Sequence, residues 1–279
     1  RSVIMLFEKS KEFLVCVDSD GTVMDTMTIK HKNCFGLAFV EIFSVDEEIR
    51  EKVLAEWNRI NLYSIQRGIN RFQGLDEILQ YCREYGYNFP GVEGYHLWVQ
   101  QTDEFSLRSL KKAYWKDPNN QAMKLAIVWS DEVNARIEKL PIGKPFDGVV
   151  DILKETSKQV DLVGVSSANE NAVLAEWDQA GLGEYFRFVG CQSAGKKEAI
   201  IMRALSSGYQ KENALMLGDS KGDIDAAEKN HIHFFPIIPK HEVESWQEFK
   251  AEGLPRLLSN RFDEEYQKSL YEKFYQSLK

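Results

Sequence analysis

The first apolar run in the chain, Phe13-Leu-Val-Cys-Val17, is short, continuous and valine-rich, and Asp18 ends it. Such a run predicts a strand buried on both faces of a parallel sheet. From about Thr26 to Leu140 the pattern changes to helical spacing. Ile42, Val45, Ile49, Val53 and Trp57 recur at intervals of three and four. Leu75, Ile78, Leu79 and Cys82 do the same, as do Leu125, Ala126, Trp129, Val133 and Ile137 within 122–137. A block of about 115 residues with this spacing reads as a helical domain. Pro141, Gly143 and Pro145 then mark a linker.

Beyond the linker, strand and helix patterns alternate. Helices are predicted at 147–157, 170–180, 197–207 and 222–229, with strands at 160–165, 186–189, 214–217 and 233–238. Phe262, Tyr266, Leu270 and Phe274 fall at four-residue spacing and predict an amphipathic C-terminal helix. Alternation of this kind argues for an α/β doubly wound parallel sheet. The expected organisation is an α/β core built from 1–25 plus 141–279, interrupted by a helical domain at 26–140.

Composition narrows the function. With 35 Lys+Arg against 43 Asp+Glu, the net charge is −8, which disfavours a general nucleic-acid binder. It leaves room for a small phosphorylated substrate, for which one or two local cations suffice. No apolar stretch reaches membrane-spanning length, and the N-terminal segment is charged too early for a secretion signal. Four cysteines without a CxxC pair suit free thiols in a cytoplasmic protein.

Two loops carry the candidate chemistry. In Asp18-Ser-Asp20-Gly-Thr22, two carboxylates follow a strand end, where ligands of parallel sheets bind, and Gly21 permits the turn. Carboxylates this close repel unless a cation bridges them or one is protonated. In Gly218-Asp219-Ser-Lys-Gly-Asp223, after a second apolar strand, Asp219 and Asp223 suit a hard cation such as Mg2+, or the acidic first turn of a helix. Ser166 ends a third strand, with Ser167 as the adjacent alternative, and either hydroxyl can hold a phosphate oxygen or cap the next helix. Lys196, at a helix start, can place a cation on a phosphoryl group.

These residues, in order and spacing, resemble the haloacid dehalogenase-like superfamily of phosphohydrolases, in its phosphoglycolate phosphatase and β-phosphoglucomutase-like branch. Asp18–Thr22 matches its first motif, Val163–Ser166 the second, Lys196 the third and Gly218–Asp223 the fourth. The third motif often reads Gly-Lys-Pro, whereas this chain has Gly195-Lys196-Lys197, so Lys197 is a rival for that role. The resemblance implies a Rossmann-like core with a helical cap between the first and second motifs. It implies that Asp18 attacks phosphorus, that Asp20 is the acid and base, and that Ser166 and Lys196 stabilise the phosphoryl group. Mg2+ would be held by Asp18, the Asp20 carbonyl and Asp219, with Asp223 acting through water. Asp20 also speaks against carbon–halogen cleavage, since dehalogenase members lack this second aspartate.

The implied activity is hydrolysis of a small phosphorylated metabolite. Sugar-phosphate mutation would use the same residues, and a non-catalytic binding protein on this fold is the rival from another class. Weaker signals remain. Gly218–Gly222 also fits Gly-x-Ser-x-Gly, the nucleophile elbow of serine hydrolases, and His231 with His233 form a candidate metal pair. Arg67 and Arg71, with Asn58, Asn61 and Ser64, form a polar strip in the helical block. At i,i+4 on one helix the two arginines would point the same way, toward an anionic leaving group or toward nearby glutamates. Trp98, Tyr114 and Trp115 are expected in the core of that block, and homodimerisation through it is a further expectation.

Overall fold

The structure, a computed structural model, describes residues 7–278. The chain divides into two compact units, one formed by the segments up to Met27 and from Ile142 onward, the other by Thr28–Pro141.

The first unit is built on a five-stranded parallel sheet. Its strands are β1 (Leu14–Val17), β2 (Asp161–Val165), β3 (Phe186–Gly190), β4 (Ala214–Gly218) and β5 (His233–Pro236), in spatial order β3-β2-β1-β4-β5. Residues of β1 alternate between two apolar layers, which is why the run reads as continuously hydrophobic. Val15 and Val17 join Leu162, Leu215, Leu217 and Phe235 on one face. Leu14 and Cys16 join Val163, Ala214, Met216 and Phe234 on the other.

Helices cover both faces. Val149–Ser157 and Glu170–Gln179 supply Ile152, Leu153, Val173 and Trp177 to the first layer. Lys197–Leu205 and Lys221–Asn230 supply Ile200, Ile201, Ala204, Ile224 and Ala227 to the second. The C-terminal helix, Glu264–Ser277, buries Tyr266, Leu270 and Phe274, as its spacing predicts. The α/β doubly wound class is therefore the observed one. Chain order leaves β1 toward β2 and β3 and returns to β4 on its other side, so the switch point lies between β1 and β4, where ligands of such sheets bind.

One segment was not anticipated. Between β5 and the last helix the chain forms Glu242–Glu248, a π-helical turn at Phe249–Gly253, and Leu254–Leu258. Its apolar residues Trp246, Phe249, Leu254 and Leu257 seat it on the β1 layer. The glycine-proline linker also has a defined place. Asp25 N donates to Lys144 O at 2.8 Å and Phe146 N to Val23 O at 3.0 Å, so the chain leaving this unit and the chain re-entering it run side by side.

The second unit contains helices Leu37–Ile42, Glu47–Tyr63, Arg71–Glu84, Val92–Gln101, Leu107–Lys116 and Gln121–Ile137. The periodic stretch from Ile42 to Trp57 is broken between Ile42 and Glu47, where Ser44 adopts a left-handed φ of 52° and Asp46 precedes the acidic start Glu47-Glu48. Trp57, Tyr95 and Trp129 lie at the centre of this unit's core, with Trp98 beside them. Trp115, expected inside, is 78% exposed, because it falls on the polar side of its helix opposite buried Leu110.

Candidate active site

Both carboxylate loops leave the sheet at the switch point. Asp18 extends the β1–β4 ladder by one bond, from its N–H to Leu217 O at 3.0 Å. Asp219 directly follows β4, and Asp223 lies in the first turn of the next helix. One carboxylate oxygen from each of Asp18, Asp219 and Asp223 lies within 4.8 Å of the others, and all three residues are buried.

The backbone explains this convergence. Gly21 sits at φ +81°, a conformation that costs glycine little. The Ser19 carbonyl accepts from the N–H groups of Val23 and Met24, both at 2.9 Å, closing the loop on itself. Gly218 leaves room for Asp223, since a Cβ there would lie 2.3 Å from Asp223 Cβ and Cγ. Gly218→Ala is accordingly expected to displace Asp223 and to lower stability by about 1–3 kcal/mol, read by thermal or urea denaturation.

The lysine at the cluster is Lys197, not Lys196. Lys197 Nζ lies 2.8 Å from Asp18 Oδ1 and 2.6 Å from Asp223 Oδ1. Lys196 precedes the helix and is exposed. The reason is helical phase. Lys197, Ile200, Ile201 and Ala204 share one face, and the latter three are buried. A cation in the first turn opposes the helix dipole, so the carboxylates hold it there. Burial works against the Lys197 ammonium, but the two carboxylates outweigh it and raise its pKa. Burial raises the Asp18 pKa well above its ordinary value; Lys197 opposes this, and Asp223 and Asp219 add to it.

The remaining candidates have defined positions. The Thr26 hydroxyl donates to Asp20 Oδ1, a partner that no motif in the sequence marks. Thr22 Oγ1 donates to Asp219 Oδ1 at 3.1 Å, so this hydroxyl braces a carboxylate. Ser166 is buried just beyond β2 and its Oγ accepts from Ala168 N at 3.1 Å. The following helix is capped by Asn169, so Ser166 is not its cap, and Ser167 is exposed. Asp223 takes the acidic first-turn role, because its Oδ2 accepts from Ser220 N and Oγ, while its Oδ1 meets Lys197. The Ser220 hydroxyl is thus bonded to a carboxylate at 2.6 Å. His233 bonds the Glu212 carbonyl and lies tilted against Phe262, and His231 is the left-handed residue ending a helix.

Arg67 and Arg71 do not share a helix. Arg67 is buried in a turn after Tyr63 and donates to Leu62 O at 2.9 Å. Arg71 opens the next helix, bonds Asn134 Oδ1 at 2.8 Å and lies over the Phe35 ring at 5.1 Å, rather than meeting a glutamate. Burial lowers its pKa to about 10. Asn61 and Ser64, in the same strip, are buried and bond the carbonyls of Trp57 and Ile60.

A family model described as "Haloacid dehalogenase-like hydrolase" matches residues 82–237, more than half of the chain. This chain belongs to the haloacid dehalogenase-like hydrolase family. The matched stretch takes in Ser166, Lys197, Asp219 and Asp223 and starts after the Asp18 loop. Solved structures share the fold at low identity. A haloacid dehalogenase-like family hydrolase from Xanthomonas campestris is 13% identical with a TM-score of 0.54, covering 92% of this chain and 98% of that one. A predicted phosphoglycolate phosphatase from Haemophilus somnus 129PT is 13% identical with a TM-score of 0.52, covering 81% and 85%. No curated protein matches the chain. The haloacid dehalogenase-like assignment makes the chain an enzyme, and none of its described helices is long and apolar enough to cross a membrane.

Proposed function

We propose that this chain hydrolyses a small phosphorylated metabolite in a Mg2+-dependent reaction through an aspartyl-phosphate on Asp18. The observation that carries the reading is the buried Asp18 carboxylate at the end of the central strand, braced by Lys197 and faced by Asp219 and Asp223.

The donor set fits a divalent cation. Three buried carboxylates face one ammonium, an excess of negative charge that burial penalises, and all their donors are hard oxygens. Asp18, Asp219 and the Asp20 main-chain carbonyl would hold Mg2+, with Asp223 acting through water. When bound, the ion supplies positive charge that offsets the phosphoryl oxygens.

The steps belong to the side chains. An Asp18 oxygen attacks phosphorus, and the bond from phosphorus to the leaving oxygen breaks. Asp20, oriented by Thr26, protonates that oxygen. Asp20 then takes a proton from water as the water attacks phosphorus, which releases phosphate and restores Asp18. Lys197 and the Ser166 hydroxyl stabilise charge on the transferring group. The helical insertion follows the Asp18 loop directly in sequence, the position of a cap that restricts the substrate to small molecules, and the proposal includes that role.

The test is steady-state hydrolysis of p-nitrophenyl phosphate and a panel of sugar, nucleotide and glycolate phosphates. Turnover is expected with Mg2+, none with EDTA, and recovery when Mg2+ is restored. Asp219→Asn is expected to need at least about tenfold more Mg2+ for half-maximal rate. Phosphate release equal to alcohol release marks hydrolysis; phosphate retained on an isomerised sugar would mark a mutase instead. Equal turnover with and without EDTA would overturn the metal-dependent mechanism.

A further inference from the structure

Two indole N–H groups reach the loop that carries Asp18 and Asp20. Trp177 Nε1 donates to Ser19 Oγ at 2.8 Å, from the helix Glu170–Gln179. Trp246 Nε1 donates to the Thr22 carbonyl at 2.8 Å, from the helix Glu242–Glu248. Both tryptophans belong to the apolar layer that also holds Val15, Val17 and Val23, and both are fully buried. Thr22 in turn bonds Asp219, so the second indole continues through the loop to the cluster.

The chemistry of position 19 makes this arrangement informative. Ser19 separates Asp18 from Asp20, and successive side chains of an extended segment point to opposite sides. Its hydroxyl is buried, on the apolar side of the loop, where a hydrocarbon side chain would be satisfied without a partner. A hydroxyl and an indole N–H placed there each cost desolvation unless they meet. Meeting, they define one distance between the loop and the helix Glu170–Gln179. A packing contact between hydrocarbons tolerates sliding, whereas a buried hydrogen bond does not.

We propose that Trp177 and Trp246 are positioning residues, which clasp the Asp18–Thr22 loop at Ser19 and Thr22 and so hold the Asp18 carboxylate in its attacking geometry. The inference rests on the phosphatase reading for its effect on rate and on the indole contacts for the clasp itself. Each indole N–H is given to the loop rather than to a carboxylate, so each acts through the loop. Rate in such a site depends on the aim of the nucleophile more than on substrate affinity.

The test is a double-mutant cycle with Trp177→Phe and Ser19→Ala, assayed with p-nitrophenyl phosphate and Mg2+ well below the melting temperature. Phenylalanine keeps most of the packing and removes the donor. Each single change is expected to lower kcat about five- to tenfold, the size of one net buried hydrogen bond, with KM held within about twofold. The double variant is expected to be no slower than the slower single one, because both changes remove the same bond. Trp246→Phe is expected to lower kcat similarly and, unlike Trp177→Phe, to act in full on the Ser19→Ala background. Losses that multiply in the Trp177–Ser19 cycle, or a lower melting temperature with unchanged kcat, would overturn the proposal.

Hydrogen–deuterium exchange of the peptide spanning Asp18–Thr22 reads the clasp without turnover. Faster exchange in Trp177→Phe, Ser19→Ala and Trp246→Phe supports it, and wild-type exchange in all three overturns it. A wild-type chain that hydrolyses nothing in the panel would sink the phosphatase reading, and exchange would still decide the clasp.

Discussion

Asp18→Asn is expected to eliminate turnover, by at least about 10³-fold, while leaving the protein as stable as the wild type or more so. The two effects have separate causes. The amide matches the carboxylate in shape, so packing at the end of β1 is preserved. It cannot attack phosphorus to give the covalent intermediate, so the two-step route is closed. In the metal-free protein Asp18 is a buried carboxylate facing two others, and its charged form is disfavoured. A neutral residue there lifts part of that repulsion and leaves Lys197 paired with Asp223. Steady-state kinetics and a thermal melt in EDTA check both halves together. Substantial residual turnover would remove Asp18 as the nucleophile. A large loss of stability would show that the carboxylate is needed to hold Lys197.

Lys197→Ala is expected to damage both activity and stability, whereas Lys196→Ala leaves both within about twofold of wild type. Lys197 is the cation that pairs with Asp18 and Asp223 together, and its side chain is only 11% exposed. Removing one member of a buried ion pair strands the charge it faced, at a cost of about 3–5 kcal/mol. The stranded carboxylates can respond by taking up a proton, which disarms Asp18 as a nucleophile. Turnover is therefore expected to fall by about 10²-fold or more, and the melting temperature to drop by several degrees. Lys196 is exposed and contributes a solvated charge. Mg2+ in excess is expected to recover part of the stability of Lys197→Ala, because it offsets the same carboxylates, but not the rate. Equal effects of the two substitutions would refute the assignment of Lys197 to the site.

Legibility in the sequence followed periodicity. β1 and β4 were readable because strands buried on both faces are continuously apolar, and β2 because only Asp161 at its start interrupts its apolar run; each is followed at once by a polar residue, Asp18, Ser166 or Asp219. The C-terminal helix was readable because Tyr266, Leu270 and Phe274 are all buried at helical spacing. The segment 242–258 was not, because a π-helical turn at Phe249–Gly253 breaks its phase. The choice between Lys196 and Lys197 was decidable in principle, since only Lys197 is in phase with Ile200, Ile201 and Ala204. That signal was outweighed by the motif, whose Gly-Lys step points to Lys196.

Local sequence thus determined the α/β class, the strand-end loops and the residue types that converge there, because each depends on spacing within one segment. Pairings between distant segments were decided by the tertiary structure. Thr22 meets Asp219 across 197 positions, Trp177 meets Ser19 across 158, and Trp246 meets Thr22 across 224. No periodicity links such residues. They come together because burying the apolar faces of β1 and of these helices fixes one packing, and that packing brings each buried donor to an acceptor.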